Sequence, residues 1–219
     1  MSKRIIAVLA LGCAAWSAQA NVTLINEGFD NFNTLSSQGW SFTNLSVNPL
    51  GPGWVQGGPI FDAQSGAVDS YTQASFVSAQ SGKIDAWLMT PTVSLESGGT
   101  LSFFVRTDEL SGFKDRLQVS FSSAGQSTDA ANFTNVLADI NPTYQADGIP
   151  AAWTQVSVIY SGLGNGSSGR FGFHYSGDYD TANMVAMDTI NIQAIPEPGS
   201  FALLGLGLAG LAFLRRRRD

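Results

Sequence analysis

Few residues of this chain have the chemistry that a catalytic centre needs. His174 is the single histidine and Cys13 the single cysteine among 219 residues, and no Gly-x-Ser-x-Gly segment marks an activated serine. Asp108 and Glu109 are a carboxylate pair of the kind that glycosidases use, but paired carboxylates in turns are usually solvated. We therefore predict that the protein is not an enzyme, and a glycan-active enzyme is the alternative.

The carboxylates of Glu27 and Asp188 predict a calcium site, and Asp85, on the face of Trp87 and Met89, is a third candidate ligand. Two-residue alternation places Glu27 on the face of Ile25 and Asp188 on the face of Ile190, so that both carboxylates point inward. An isolated buried charge is unfavourable unless it is paired or bound to a metal, and calcium prefers oxygen ligands. The alternative is that these carboxylates accept hydrogen bonds from backbone amides at strand ends.

Trp54 is the residue that we predict to bind a ligand. It lies in a glycine-rich and proline-rich segment, residues 49–66, that reads as a loop. An exposed tryptophan ring in a loop is unusual without a ligand, and its flat face suits stacking on a sugar.

Short segments with a two-residue apolar period must position these side chains. The alternation is clearest at residues 101–106, 117–122, 153–160 and 171–175, and glycine-rich turns separate the strands. Residues 129–138 are predicted to form one short helix. The pattern predicts an all-β fold, an antiparallel jelly-roll-like β-sandwich.

The first 20 residues have the composition of a secretory signal peptide. Lys3 and Arg4 precede an apolar run from Ile5 to Trp16, and Ala-Gln-Ala at residues 18–20 forms a small-x-small cleavage site. Cys13 leaves open a lipoprotein signal, in which the cysteine is acylated after cleavage. We expect an exported protein whose folded domain begins at residue 21.

Residues 21–194 are predicted to form a single acidic domain. Five basic and fifteen acidic residues leave this region a formal charge of −10, which argues against nucleic acid as a partner. Because Cys13 is the only cysteine, the domain has neither a disulfide nor a thiolate metal site. Structural calcium is the one cofactor that the sequence predicts.

The C-terminal segment, residues 195–219, changes composition abruptly. Pro196, Glu197 and Pro198 are followed by an apolar run from Phe201 to Leu214 and then by a cluster of basic residues. The run has about the length of a short, transient membrane anchor. By the positive-inside rule, the basic cluster holds the chain end in the cytoplasm and leaves the domain outside. This cluster consists of Arg215, Arg216, Arg217 and Arg218.

The order of Pro-Glu-Pro, apolar helix and arginine cluster resembles the PEP-CTERM sorting signal of Gram-negative bacteria. The resemblance implies that an exosortase recognises Pro196, Glu197 and Pro198 and cuts the chain near them, while the four arginines retain it in the inner membrane until then. It also implies a final location at the cell surface or in the extracellular matrix, in association with exopolysaccharide or biofilm.

The predicted sandwich resembles the choice-of-anchor J domain and the related cleaved-adhesin modules of bacterial surface proteins. Those modules are jelly-roll sandwiches, and related adhesin modules bind structural calcium. The resemblance rests on motifs in a fixed order, at residues 27–30, 39–40, 85–91, 101–106, 153–163 and 187–190. It implies a non-catalytic binding or adhesion module, whose partner is exopolysaccharide or another envelope component. A purely structural matrix protein without a discrete ligand is a further alternative.

Overall fold

A computed structural model describes residues 21–195. In this part of the chain, two antiparallel sheets pack face to face, which confirms the predicted β-sandwich. The predicted signal peptide, Pro196 to Pro198 and the arginine cluster lie outside the described residues. The strands are β1 Val22–Glu27, β2 Ser41–Asn44, β3 Trp54–Gln56, β4 Thr72–Ser75, β5 Lys83–Met89, β6 Val93–Ser94, β7 Gly99–Arg106, β8 Arg116–Ser122, β9 Asn135–Ile140, β10 Thr154–Tyr160, β11 Ser168–Asp178 and β12 Met184–Ala194.

The first sheet has the strand order β10-β7-β12-β4-β3, with β1 also paired to β12. The start of β12 pairs with β4, and its second half pairs with β1, where Glu27 is opposite Ile190. The first and last strands of the domain are therefore hydrogen-bonded neighbours.

The second sheet has the strand order β2-β5-β11-β8-β9, and the short β6 pairs with the start of β11. Strand β11 is central, since it is hydrogen-bonded to β5 on one side and to β8 on the other. The middle of the sheet thus joins segments that are about 50 to 90 residues apart in sequence.

Alternating apolar side chains from both sheets fill the core. Leu101, Phe103 and Val105 of β7 are fully buried, and the rings of Phe103 and Phe173 meet edge to face with centroids 5.5 Å apart. Burying one such side chain contributes about 1.5–3 kcal/mol. The two-residue period therefore predicted the inward faces of these strands correctly.

The helix predicted over residues 129–138 is wrong. Only Ala130–Asn132 forms a 3-10 turn, and β9 begins at Asn135. The Asp129 side chain accepts the Ala131 N–H and starts the turn. Pairing with β8 then holds the following residues extended, because tertiary context overrides a weak local preference.

Residues 21–195 belong to one compact unit with its own hydrophobic core. A chain of this extent has what an independently folding domain needs. Among residues 21–195, no helix has the length and hydropathy of a membrane span.

Candidate functional site

Trp54 lies in the core, so the prediction of an exposed, ligand-binding ring is wrong. It begins β3, its exposure is 0%, and its Nε1 donates a hydrogen bond to the Ala86 carbonyl at 3.1 Å. Gly53, with φ +85°, has its missing Cβ position 2.7 Å from the Ala86 Cβ, so only glycine allows this close approach. A ring enclosed in this way cannot stack on a sugar.

Asp85, the third candidate calcium ligand, is separated from Glu27 and Asp188 and does not share a site with them. It lies on β5 of the second sheet, whereas Glu27 and Asp188 lie on β1 and β12 of the first. Its Oδ1 is 2.9 Å from Nε2 of His174 and accepts a hydrogen bond from Nε1 of Trp87 at 2.6 Å. Contact with His174 lowers the pKa of this carboxyl.

A groove of about 560 Å³ opens on the outer face of the second sheet, and Asp85 and His174 line it. The stacked rings of Trp87 and His174, with centroids 4.2 Å apart, help to fix the histidine. Leu45 and Val47, both about half exposed, form an apolar side wall. The groove thus combines an apolar wall with fixed polar groups, as ligand sites commonly do.

Polar side chains beside the groove are joined in a network. Arg116 donates two hydrogen bonds to the carboxylate of Asp139, at 2.7 and 2.6 Å, and this bidentate contact lowers the pKa of that carboxyl. The Arg116 guanidinium also lies 5.6 Å from the ring centre of Tyr144, whose hydroxyl is 3.0 Å from Oγ of Ser176. These contacts hold Tyr144 and Ser176 in place before any ligand arrives.

The loop that carries Tyr144 has an unusual backbone. Asn141, Tyr144 and Asp147 all have positive φ, at 60°, 52° and 59°. Such conformations are uncommon in residues other than glycine and concentrate at functional sites. Nδ2 of Asn141 donates to the carbonyls of Asp115 and Gln145, at 2.8 and 2.7 Å. The loop is therefore fixed in the conformation that places Tyr144 at the groove.

Glu27 and Asp188 come close to a second, polar pocket, of about 440 Å³, at the junction of β1 and β12. Glu27, Asp30, Ser65 and Thr189 are among the residues that line it. Burial raises the pKa of the Glu27 carboxyl and that of the Asp188 carboxyl. Both carboxylates thus lie where ionisation is unfavourable without a compensating partner.

Asp188 does not share the inward face of Ile190, contrary to the prediction. The register of β12 against β7 shifts after Asp188, and Thr189 has φ +52°, which is an outlier for a β-branched residue. Asp188 therefore falls on the outer side of the sheet with Ala186, whereas Met187 and Ile190 belong to the main core. Alternation alone cannot locate such a bulge.

Backbone amides already satisfy much of the hydrogen-bonding capacity of both carboxylates. Glu27 accepts the Phe29 N–H at 2.6 Å, and Asp188 accepts the N–H groups of Ser65 and Thr189. No group of three His, Cys, Asp or Glu side chains within residues 21–195 has the arrangement of a metal site. Carboxylate oxygens are ligands that calcium prefers. The binding of calcium by Glu27 and Asp188 stays a prediction.

Asp108 and Glu109 line a further cavity, of about 390 Å³, together with Phe61 and Arg106. Oδ1 of Asp108 accepts the Leu110 N–H at 3.1 Å, a turn-capping contact. Adjacent residues in one turn do not flank a bond from two sides, as the two carboxylates of a glycosidase must. This pair therefore offers little support for the enzyme alternative.

Sequence reasoning missed the groove, although its residues carried a signal. The outward positions of β5 and β11 hold Lys83, Asp85, His174 and Ser176, which alternate with core residues in the printed sequence. That these two strands pair, with Ser176 opposite Asp85, depends on long-range register. The sequence did not indicate that register.

Comparison with known families identifies the C-terminal segment. Residues 194–218 match the family described as the PEP-CTERM protein-sorting motif. The chain therefore carries this motif, as the order of its C-terminal residues predicted. A search of curated protein sequences gave no significant match.

Comparison with solved structures identifies similar sandwiches in cleaved adhesin domains of Lys-gingipain. The K1 domain, from Porphyromonas gingivalis W83, is 24% identical with a TM-score of 0.55, and the alignment covers 78% of this chain and 98% of that domain. The K3 domain, from the same strain, is 23% identical with a TM-score of 0.51, over 80% and 99% of the two chains. The K2 domain is 18% identical with a TM-score of 0.52, over 79% and 99%. At these identities the likeness shows the fold, which is that of an adhesin-like sandwich.

Proposed function

We propose that this protein is an exported, exosortase-processed component of the bacterial surface or extracellular matrix, and that its domain is a non-catalytic binding module. Its ligand is a polysaccharide of the cell envelope or exopolysaccharide, bound in the groove on the outer face of the second sheet. The observation that carries this proposal is the groove itself, whose polar side chains are fixed by mutual contacts and whose wall is apolar.

Sugar recognition needs hydrogen-bonding groups at fixed positions and apolar surface against the faces of the rings. Tyr144 and Ser176 supply hydroxyls, and Asp85 and His174 supply a carboxylate and an imidazole. Leu45 and Val47 supply exposed apolar surface at one side. This combination supports binding of a polyhydroxylated ligand.

The C-terminal motif supports export and sorting. In this proposal the segment after residue 195 holds the chain in the inner membrane until an exosortase cuts near Pro196, Glu197 and Pro198. The domain is then released to the cell surface or the matrix. The domains of Lys-gingipain with the same fold are described as adhesin domains, which agrees with a binding role.

The test is co-sedimentation of a chain of residues 21–195 with the exopolysaccharide of the producing strain. Tyr144→Ala removes a ring and a hydroxyl from the groove and should weaken binding about tenfold. Ile159→Ala, which trims a side chain 79% exposed on β10 of the other sheet, should bind as the unmodified domain does. No binding by the unmodified domain would favour a purely structural matrix protein, and release of sugars would favour an enzyme.

A further inference from the structure

The groove contains an unusual share of the few cations in this acidic domain. Residues 21–195 include five basic side chains, and two of them, Lys83 and Lys114, line the groove. They are also the only lysines of that region. A domain of formal charge −10 thus has both of its lysines at one surface feature.

The other three cations of the described region have protein partners. Arg116 is paired with Asp139. Arg170 donates to the carbonyls of Gly39, Thr90 and Gln126, and Arg106 donates to backbone carbonyls and lies 3.8 Å from the centre of the Phe61 ring. These arginines therefore have structural roles.

Neither Lys83 nor Lys114 forms an ion pair or a side-chain hydrogen bond with any residue between 21 and 195. Their backbones, by contrast, are fixed to the rim of the groove. The Lys83 carbonyl accepts the Val47 N–H, and the Lys114 N–H donates to the Thr181 carbonyl, both at 2.9 Å. Two unpaired ammonium groups are thus anchored at the border of the groove.

The two acidic residues that line the groove form no ion pair with these lysines. Asp85 contacts His174 and Trp87. Asp178 is opposite Lys83 in the β5–β11 register, yet its Oδ1 accepts the Asp180 N–H in a turn. Within residues 21–195, neither ammonium group therefore has a salt-bridge partner that a negative charge on a ligand would have to displace.

We propose that the groove binds an anionic saccharide, in which Lys83 and Lys114 contact a carboxylate or sulfate group and Tyr144 and Ser176 contact sugar hydroxyls. This inference rests on the proposed binding function and specifies its ligand. The lysines make an acidic polymer an acceptable partner for a domain whose overall charge would otherwise repel it.

The test compares three oligosaccharide probes on a chain of residues 21–195: an oligogalacturonate with carboxylates, a sulfated oligogalactan, and a neutral oligogalactan. We expect at least one anionic probe to bind ten or more times more tightly than the neutral probe in low salt. The advantage should shrink as salt is added, because the lysines are exposed to solvent. Which anionic probe is preferred distinguishes a uronic acid from a sulfated sugar.

The variant Lys83→Gln/Lys114→Gln should lose most of the preference for the anionic probe and keep its binding of the neutral probe. The variant Lys83→Arg/Lys114→Arg retains both charges and should retain the preference. Gln155→Glu/Ser157→Glu, at two exposed positions of β10 in the other sheet, adds two negative charges far from the groove and matches the net charge of the double glutamine variant. Melting curves verify that every variant is folded.

Equal binding of neutral and anionic probes would overturn this inference and leave groove binding intact, provided that Tyr144→Ala still weakens it. Failure of both anionic probes to bind would also overturn it. The proposed function is then judged separately, by binding to the polysaccharide of the producing strain.

Discussion

Asp115 is a buried carboxylate whose environment makes the domain sensitive to pH. It is 3% exposed, and its Oδ1 accepts hydrogen bonds from the Tyr175 hydroxyl and the Asn183 N–H, at 2.7 and 2.9 Å. Burial outweighs these contacts and raises its pKa to about 6. The folded state therefore binds this proton more tightly than the unfolded state, in which the pKa is near 3.8.

A raised pKa predicts a loss of stability as the pH rises. The contribution of Asp115 to the free energy of unfolding should fall between about pH 4 and pH 6 and change little above that range, by at most about 3 kcal/mol. Asp115→Asn keeps an oxygen that accepts both hydrogen bonds and cannot ionise. We expect this variant to be the more stable protein at pH 7 and to match the unmodified domain near pH 4.

Denaturant unfolding at pH 4, 5, 6 and 7 measures this difference. Asp129→Asn, which changes an exposed carboxylate that also caps a turn, is the matched control and should show a much smaller pH dependence. A difference between Asp115→Asn and the unmodified domain that stays constant from pH 4 to pH 7 would contradict this account of Asp115.

Among the predictions for single residues, the predicted exposure of Trp54 failed most clearly. The glycines and prolines around Trp54 predict exposure, yet Trp54 and the two residues that follow it form β3, and the ring lies in the core. The amino-acid composition of residues 49–66 indicates a loop, but it does not indicate which side chains of that segment are buried. The error is informative, because the groove that we propose as the ligand site lies on the other sheet.

At the scale of elements, the sequence predicted the positions of the strands better than it predicted the surfaces that the paired strands form. Residues 101–106 and 117–122 alternate cleanly and lie within β7 and β8 as expected. Pairing is a long-range property, so the neighbours of β11 and the bulge after Asp188 were not accessible from local pattern. The candidate groove depends on the pairing of β11 with β5 in the second sheet, and for that reason it emerged only from the structure.

The junction of β1 and β12 leads to a prediction about calcium. If an ion joins Glu27 and Asp188, it binds only the folded state, so free calcium at one hundred times its dissociation constant would add about 2.7 kcal/mol. The melting temperature of residues 21–195 should then rise by several degrees in calcium relative to chelator. Glu27→Gln and Asp188→Asn should each abolish most of that rise.

Asp85→Asn is the control for this experiment, since Asp85 lies on the other sheet and should leave the calcium response unchanged. Superimposable melting curves in calcium and in chelator would contradict the prediction that a calcium ion joins Glu27 and Asp188. The hydrogen bonds from Phe29, Ser65 and Thr189 would then be the full explanation of both carboxylates.

At the scale of the whole molecule, the chain combines a sorting motif with a β-sandwich domain. Replacing Pro196, Glu197 and Pro198 with alanines should leave export intact and block processing, because the apolar run and the arginines still retain the chain. Uncut protein should accumulate in the membrane fraction, as detected with an antibody to the domain. Normal release of this variant, or a released chain that still carries Arg215 to Arg218, would refute exosortase processing.

The central claim is that the outer face of the second sheet binds polysaccharide, and amide hydrogen exchange tests it most directly. Exchange is measured on residues 21–195 with and without the exopolysaccharide of the producing strain. We predict slower exchange at the segments that border the groove: residues 44–47, the exposed ends of β5 and β11, and the loop 141–148. Protection confined to the first sheet, around Phe61 and Glu109, or no protection anywhere in the domain, would contradict the account.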